Sequence, residues 1–190
     1  MKLTSKELIL TALFTALMAA GAFVRIPFPL LPVTLQPFIC ALAGMVLGPR
    51  LGAISMAVYT LLGLTGVPVF ANGGGITYVF DVSFGFMLGF IAGAAVIGKI
   101  SSVMKKPSAA NNLKSLMPGL AVIYILGIAY MLLIMRVYLG NEHANLLFVL
   151  AANLPYIIKD ILLYIIIAIA GASILPAIRK ALPDRTPERG

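Results

Sequence analysis

Residues 25–36 read RIPFPLLPVTLQ. The stretch is apolar enough for a membrane interior, yet Pro27, Pro29 and Pro32 rule out a continuous helix through it. Each proline removes an amide donor and disfavours helical geometry in the residue before it. Irregular backbone at membrane depth persists only where protein buries it or where it lines a cavity. Arg25 stands at one end, with Thr34 and Gln36 at the other. The segment is therefore expected to roof a small-molecule pocket, with these three side chains as candidate ligand contacts.

The membrane setting follows from composition. Of 190 residues, 61% are hydrophobic and 11% charged, and the mean hydropathy is +1.06; a soluble domain carries about 25% charged residues. The chain reads as one integral membrane domain, residues 1–190, with its core at about 8–176 and a polar tail at 179–190 whose end is expected to be unstructured. Apolar runs predict an all-α protein of six transmembrane helices, at 8–24, 34–48, 51–66, 82–98, 116–139 and 146–176. Lys2 and Lys6 precede the first run as in a signal peptide. That run is longer than a signal core, however, and its small residues recur at helical spacing, so it reads as a retained span.

The net charge of +8 does not point to nucleic acid, because the cations lie in short loops between apolar runs. Lys2, Lys6, Arg50, Lys99, Lys105, Lys106, Lys114, Arg179, Lys180, Arg185 and Arg189 fall at one set of helix ends; Arg25 and Arg136 fall at the other. With six spans, this asymmetry places both termini in the cytoplasm of a bacterial-type cell membrane. Residues 25–36, a glycine loop and the Glu142 turn then share the outer side, where a pocket would open.

The glycine loop lies in 67–81, VPVFANGGGITYVFD. Gly73, Gly74 and Gly75 let backbone approach a ligand closely, or simply make a flexible connector. Tyr78 and Phe80 beside them are candidates for stacking on a ligand. Two further small-residue patterns concern packing. Gly85, Gly89 and Gly93 recur every fourth residue, as do Ala12, Ala16 and Ala20. Such stripes let helices approach where lipid offers no hydrophobic drive. The alanine stripe serves either packing within the chain or docking to another protein. Residues 99–114, polar and basic with Pro107, read as the longest linker.

Chemistry centres on Lys159 and Asp160 in the last apolar run, NLPYIIKDILLY. A charge at the membrane centre costs about 2.5–3.5 kcal/mol and usually marks function. Neighbouring residues on a helix point roughly 100° apart, so the two are not expected to neutralise each other. Asp160 can accept hydrogen bonds from an amide or ureido group. Lys159 can pair with an anion or snorkel outward, Pro155 suggesting that the helix begins nearby. The competing reading is a structural ion pair with Arg25 or another helix. Cys40 is alone and His143 is the sole histidine, so no thiolate or histidine metal site is expected. No catalytic triad, acid dyad or ATP-binding motif emerges, so an enzyme is not expected, nor a cofactor.

These residues coincide with a known pattern. From RIPFPLLPVTLQ through LAGMVLGPRLGAISMAVYTLLGLTGVPVF to ANGGG, the chain resembles the BioY family, biotin-specific S components of energy-coupling factor (ECF) transporters. The resemblance extends over about residues 8–171. It implies an S-component-like bundle that captures biotin outside and passes it inward with a membrane-embedded T subunit and two ATPase subunits. It implies that Ala12, Ala16 and Ala20 dock the T subunit, that Asp160 accepts from the biotin ureido N–H groups, and that Asn72 contacts the ring system. Two departures remove polarity from the implied pocket: Leu163 stands where the family commonly has lysine, and Phe84-Gly85-Phe86-Met87 where some members carry a basic residue. Lys159 or Arg25 is then left to meet the ligand carboxylate. The alternatives are an S component of the same fold for a related vitamin or precursor, and a scaffold subunit without ligand.

Overall fold

The computed structural model describes residues 3–28, 31–104 and 108–181. Pro29, Lys105, Lys106 and Pro107, together with Lys2 and the 182–190 part of the polar tail, lie outside the described residues. Helix α1, Ser5–Phe23, opens with a capping box: the Thr4 hydroxyl accepts from the Glu7 amide at 3.3 Å, and the Glu7 carboxylate accepts from the Thr4 amide at 2.8 Å. The helix stops just before the proline-rich stretch. There β1 (Arg25–Ile26) pairs antiparallel with β2 (Val33–Thr34), in the register Arg25↔Thr34 and Ile26↔Val33. The Leu35 amide donates to the Gly21 carbonyl at 3.1 Å and ties the hairpin exit to the end of α1.

Pro37 in the first turn starts α2, Gln36–Leu64, where a missing amide costs nothing. Its 29 residues are broken at Gly48, with φ 75° and ψ −177°, just before Pro49. A straight helix would separate Ala43 from Gly52 by roughly 13 Å. Instead a Cβ on Gly52 would lie 3.1 Å from the Ala43 carbonyl oxygen. At the far ends, Gln36 Nε2 donates to the Tyr59 hydroxyl at 2.9 Å. The two arms, 36–47 and 49–64, therefore fold back against each other.

Helix α3, Phe84–Val103, packs on both neighbours through glycines. A Cβ on Gly89 would come within 2.8 Å of the Ile123 carbonyl oxygen, and one on Gly93 within 3.1 Å of that of Gly119. The Gly85/Gly89/Gly93 stripe thus seats α3 on α4, Ala109–Leu133. On another side of α3, Gly44 of α2 faces the Ala94 carbonyl, where a Cβ would lie at 2.8 Å.

The expected 99–114 linker is mostly helix: α3 continues to Val103 and α4 begins at Ala109, capped by the Ser108 hydroxyl. Tertiary contact overrides local polarity here, since Asn112 is buried and its Nδ2 donates to the Ala168 carbonyl at 2.9 Å. Helix α4 runs on into a π-helical turn, Ile134–Tyr138. Helix α5, Leu146–Ala181, begins well before Pro155, because the Asn145 side chain caps the Phe148 amide at 2.8 Å; Pro155 lies inside the helix instead of near its start. Among the described residues, five helices are long and apolar enough to cross a membrane, against the six expected spans. The difference rests on α2, whose two folded arms are the second and third expected spans.

Candidate ligand-binding site

Two segments converge over one end of the bundle. One is the β1–β2 hairpin; the other runs from 65 to 83 and carries a 3-10 turn at Ile76–Phe80. The second is built on glycine conformation. Phe70 and Gly73 exchange backbone hydrogen bonds of 2.8 and 3.2 Å, and the Gly75 amide donates to the Gly63 carbonyl at 2.7 Å. Gly73 has φ +114° and Gly75 φ +110°, values that L side chains rarely adopt. A Cβ on Gly73 would meet nothing within 4 Å, whereas one on Gly74 would press on the Val67 and Gly63 carbonyls. Of the three glycines, Gly73 alone leaves open space beside its backbone, and Asn72 next to it is exposed.

The Arg25 guanidinium donates to the Ala71 carbonyl and so joins the hairpin to the glycine loop. The Tyr59 hydroxyl, which accepts from Gln36, donates to Val69 at 3.0 Å. Beneath these ties lies a cavity of about 60 Å³. The polar side chains lining it are Thr34, Gln36, Tyr78 and Ser83, opposed by apolar groups that include Leu31, Phe86 and Phe90. Tyr78 and Ser83 share a hydrogen bond of 2.9 Å, and the Ser83 hydroxyl donates to Asp81 Oδ1 at 2.6 Å. Burial pushes the Tyr78 phenol up to about 12, with the Ser83 hydrogen bond opposing, so it stays a neutral donor.

A second polar cluster adjoins this cavity from α5. Asp160 is 1% exposed. Its Oδ2 accepts from the Tyr124 hydroxyl at 2.7 Å. Its Oδ1 lies 2.6 Å from Lys159 Nζ, in an ion pair that lacks the geometry of a hydrogen bond. The same ammonium donates to the Thr34 carbonyl at 2.8 Å. The expectation that Lys159 and Asp160 do not neutralise each other is therefore overturned. The four-carbon lysine stem folds back across the helix surface and cancels the angular offset of the two Cα positions. Arg25, the other suggested partner of Asp160, is engaged with Ala71 instead.

Neither Asp160 nor Lys159 lines the cavity. Phe86 stands between, lining it with one face while its ring sits edge-on to Tyr124, with centroids 5.7 Å apart. Thr34 links the two clusters, its residue lining the cavity and its carbonyl holding Lys159.

Several contributors were not singled out from sequence, among them Ser83, Tyr124, Tyr156 and Tyr164. Tyr124 is one tyrosine among several in apolar helices, and nothing in its spacing marks it. Tyr156 had a legible signal: Asn153, Tyr156, Asp160 and Tyr164 fall on one face of α5, and all four are buried. The Tyr156 hydroxyl donates to the Leu31 carbonyl and accepts from the Leu31 amide, and Tyr164 donates to the Pro37 carbonyl at 3.1 Å. Two residues of this face therefore hold the chain at Leu31 and Pro37, on either side of β2.

Elsewhere, Phe80 stacks on Tyr138 at 4.7 Å and is not part of the cavity lining. His143 is exposed in its turn. Among the described residues, no group of three His, Cys, Asp or Glu side chains could hold a metal ion. Ala12, Ala16 and Ala20 are exposed, while α1 buries Thr11, Phe14, Thr15 and Met18 against the bundle, so the alanine stripe is not spent on packing within the chain.

The chain is similar to known proteins along most of its length. The BioY family model matches residues 1–183. A protein of Lysinibacillus sphaericus named probable biotin transporter BioY is 37% identical over 175 residues, covering 92% of this chain and 89% of the relative. The biotin transporter BioY of Thermotoga maritima is 44% identical over 124 residues, 65% of this chain and 72% of its own. Among solved structures, the S-component for biotin from an ECF-type ABC transporter superposes with a TM-score of 0.65 at 25% identity, over 94% of this chain and 95% of that one. The chain belongs to the BioY family.

Proposed function

We propose that this chain is the biotin-binding S component of an ECF-type uptake transporter, a transport protein that performs no chemistry on its ligand. The observation that carries the reading is Asp160: a buried carboxylate on the last long helix, beside a cavity roofed by the hairpin and glycine loop. Its Oδ1 is held by the Lys159 ion pair alone, and a ureido N–H could take that place. Thr34, Gln36 and Tyr78 would contact the ligand from the cavity wall, and Asn72, Gly73 and Gly74 from the loop above.

Small-molecule sites commonly measure about 300–1,000 Å³. A cavity of about 60 Å³ must therefore widen to take biotin. The glycine loop, where a side chain at Gly73 would meet nothing within 4 Å, is the part from which that room would come. The cation asymmetry supports an arrangement with both termini in the cytoplasm of the cell membrane. Each arm of α2 then counts as a crossing, for six in all, and the cavity opens outward. The exposed alanines 12, 16 and 20 offer a surface on which a T subunit, with its two ATPases, would dock.

Isothermal titration of purified protein with biotin tests the reading directly. The wild type should bind one biotin per chain. Asp160→Asn should still fold, with a lowered melting midpoint because Lys159 loses its partner, and lose affinity by about ten- to a hundredfold, the effect of losing a charge-assisted hydrogen bond worth roughly 1.5–3 kcal/mol. Unaltered binding by that variant would remove Asp160 from the site.

A further inference from the structure

We infer that Lys159 is an exchangeable internal counter-ion of Asp160, and that ligand binding transfers its ammonium from that carboxylate to the carboxylate of the ligand. The inference rests on the biotin-binding reading and concerns how the site selects its ligand.

Both Asp160 oxygens already face a donor from within the chain, Tyr124 on Oδ2 and Lys159 on Oδ1. A ligand bringing N–H groups to this carboxylate has to displace one of them. The two are not equally held. The Tyr124 hydroxyl makes a directed bond of 2.7 Å, and its ring is fixed edge-on against Phe86. The Lys159 side chain is 26% exposed, and its contact with Oδ1 lacks hydrogen-bond geometry. Lysine also ends a flexible stem, so its ammonium can sweep several ångströms with its Cα unmoved. Lys159 is the donor that yields.

An ammonium displaced next to a buried carboxylate site needs another anion, because an uncompensated charge in a low-dielectric setting is costly. Among the described residues, no other carboxylate is at hand. Asp81 is taken up by the Ser83 amide and hydroxyl, Glu7 caps the start of α1, and Glu142 is in the turn after α4. A carboxylate carried by the ligand fills the role. Lys159 already sits on the Thr34 carbonyl, and Thr34 lines the cavity, so a short rotation brings the ammonium to the cavity edge. The site then selects for two features on one molecule: N–H donors that replace the ammonium at Asp160, and an anionic group that receives it.

The exchange differs from a simple anion contact in what it predicts for a neutral ligand. Biotinamide, whose tail is uncharged, would have to expel the ammonium with nothing to pair it. The experiment measures affinities of the purified full chain for biotin and biotinamide by calorimetry, in wild type, Lys159→Met, Lys159→Gln and Lys159→Arg. Wild type should prefer biotin by about tenfold or more. In Lys159→Met the preference should collapse to about twofold, because biotin binds more weakly while biotinamide binds as well as before or better. Lys159→Arg should keep most of the preference. If Lys159→Met does not fold, Lys159→Gln, which still donates to Thr34, carries the same expectation. An unchanged preference in the neutral variants, or an equal fall for both ligands, would overturn the exchange while leaving biotin binding intact. Failure of wild type to bind biotin would overturn the functional reading, and this inference with it.

Discussion

Glycine does opposite work in two regions of the molecule. Between α3 and α4, Gly85, Gly89 and Gly93 have ordinary helical backbone and no room for a side chain, because the neighbouring helix occupies the place of the missing Cβ. In the roof, Gly73 and Gly75 have left-handed backbone, and at Gly73 a side chain would meet open space. The first set serves close packing at membrane depth, and the second serves a turn that packing alone does not hold. The fourfold spacing of one set and the contiguity of the other are the sequence forms of these two roles. The rigid region and the adjustable region thus sit next to each other, and the cavity lies between them, lined by Phe86, Met87 and Phe90 of α3 below and by Ala71 and Tyr78 above.

Three substitutions probe the contrast. The largest effect is expected from Gly89→Val, whose side chain would run into Ile123 backbone that has no means of moving aside. Overpacking of this kind costs about 1–3 kcal/mol or more. The thermal midpoint of the detergent-solubilised protein should drop by many degrees, or the protein should fail to accumulate. A midpoint within two or three degrees of wild type (about 1 kcal/mol at this chain length) would show that the α3–α4 contact is looser than it stands.

Gly73→Ala should do less to stability and more to binding. The strain of a positive φ costs about 1–2 kcal/mol, with no clash to add. Its melting midpoint should fall by only a few degrees, while calorimetry should find biotin affinity reduced severalfold as the loop relaxes away from the ligand. Equal losses of stability and affinity would erase the distinction between the regions.

The smallest effect on the isolated chain is expected from Ala16→Leu on the exposed face of α1. Midpoint and biotin affinity should both match wild type within about 0.5 kcal/mol, the usual limit for surface changes. Co-purification with a T subunit should nevertheless fall sharply, and full recovery of the complex would remove the stripe from the docking surface.

Much of the fold was legible in residue order because membranes impose strict rules. Prolines at 27 and 32 kept helix out of the roof, and fourfold glycines located a helix contact. Elsewhere local cues misled because tertiary structure outweighed them. Gly48-Pro49 is a contrary case: the break between the second and third expected spans, 34–48 and 51–66, is a true reversal of the chain, made by Gly48 as the non-helical residue. Asn111-Asn112 read as linker, yet Asn112 becomes a buried bond to α5. Pro155 read as a helix start, but capping by Asn145 placed the start earlier. The site was legible to the level of which segments meet. Angular periodicity placed Lys159 and Asp160 on separate faces; it carries no information on a long side chain bending back to its neighbour. Tyr124 was invisible for a related reason: its role depends on which face of α4 meets α5, a matter of helix docking that one sequence does not record.

The attachments of the hairpin to α5 also say when the site comes into being. Tyr156 holds Leu31, Lys159 holds Thr34 and Tyr164 holds Pro37, each across 125 to 127 residues of chain. Contacts so distant in sequence wait for the intervening chain to be made. During synthesis the first four-fifths of the protein can enter the membrane, fold back at Gly48 and join α3 to α4 while the hairpin still lacks its anchor. The hairpin's anchors therefore form only once α5 is made, and a nascent chain stalled before Tyr156 lacks all three of them.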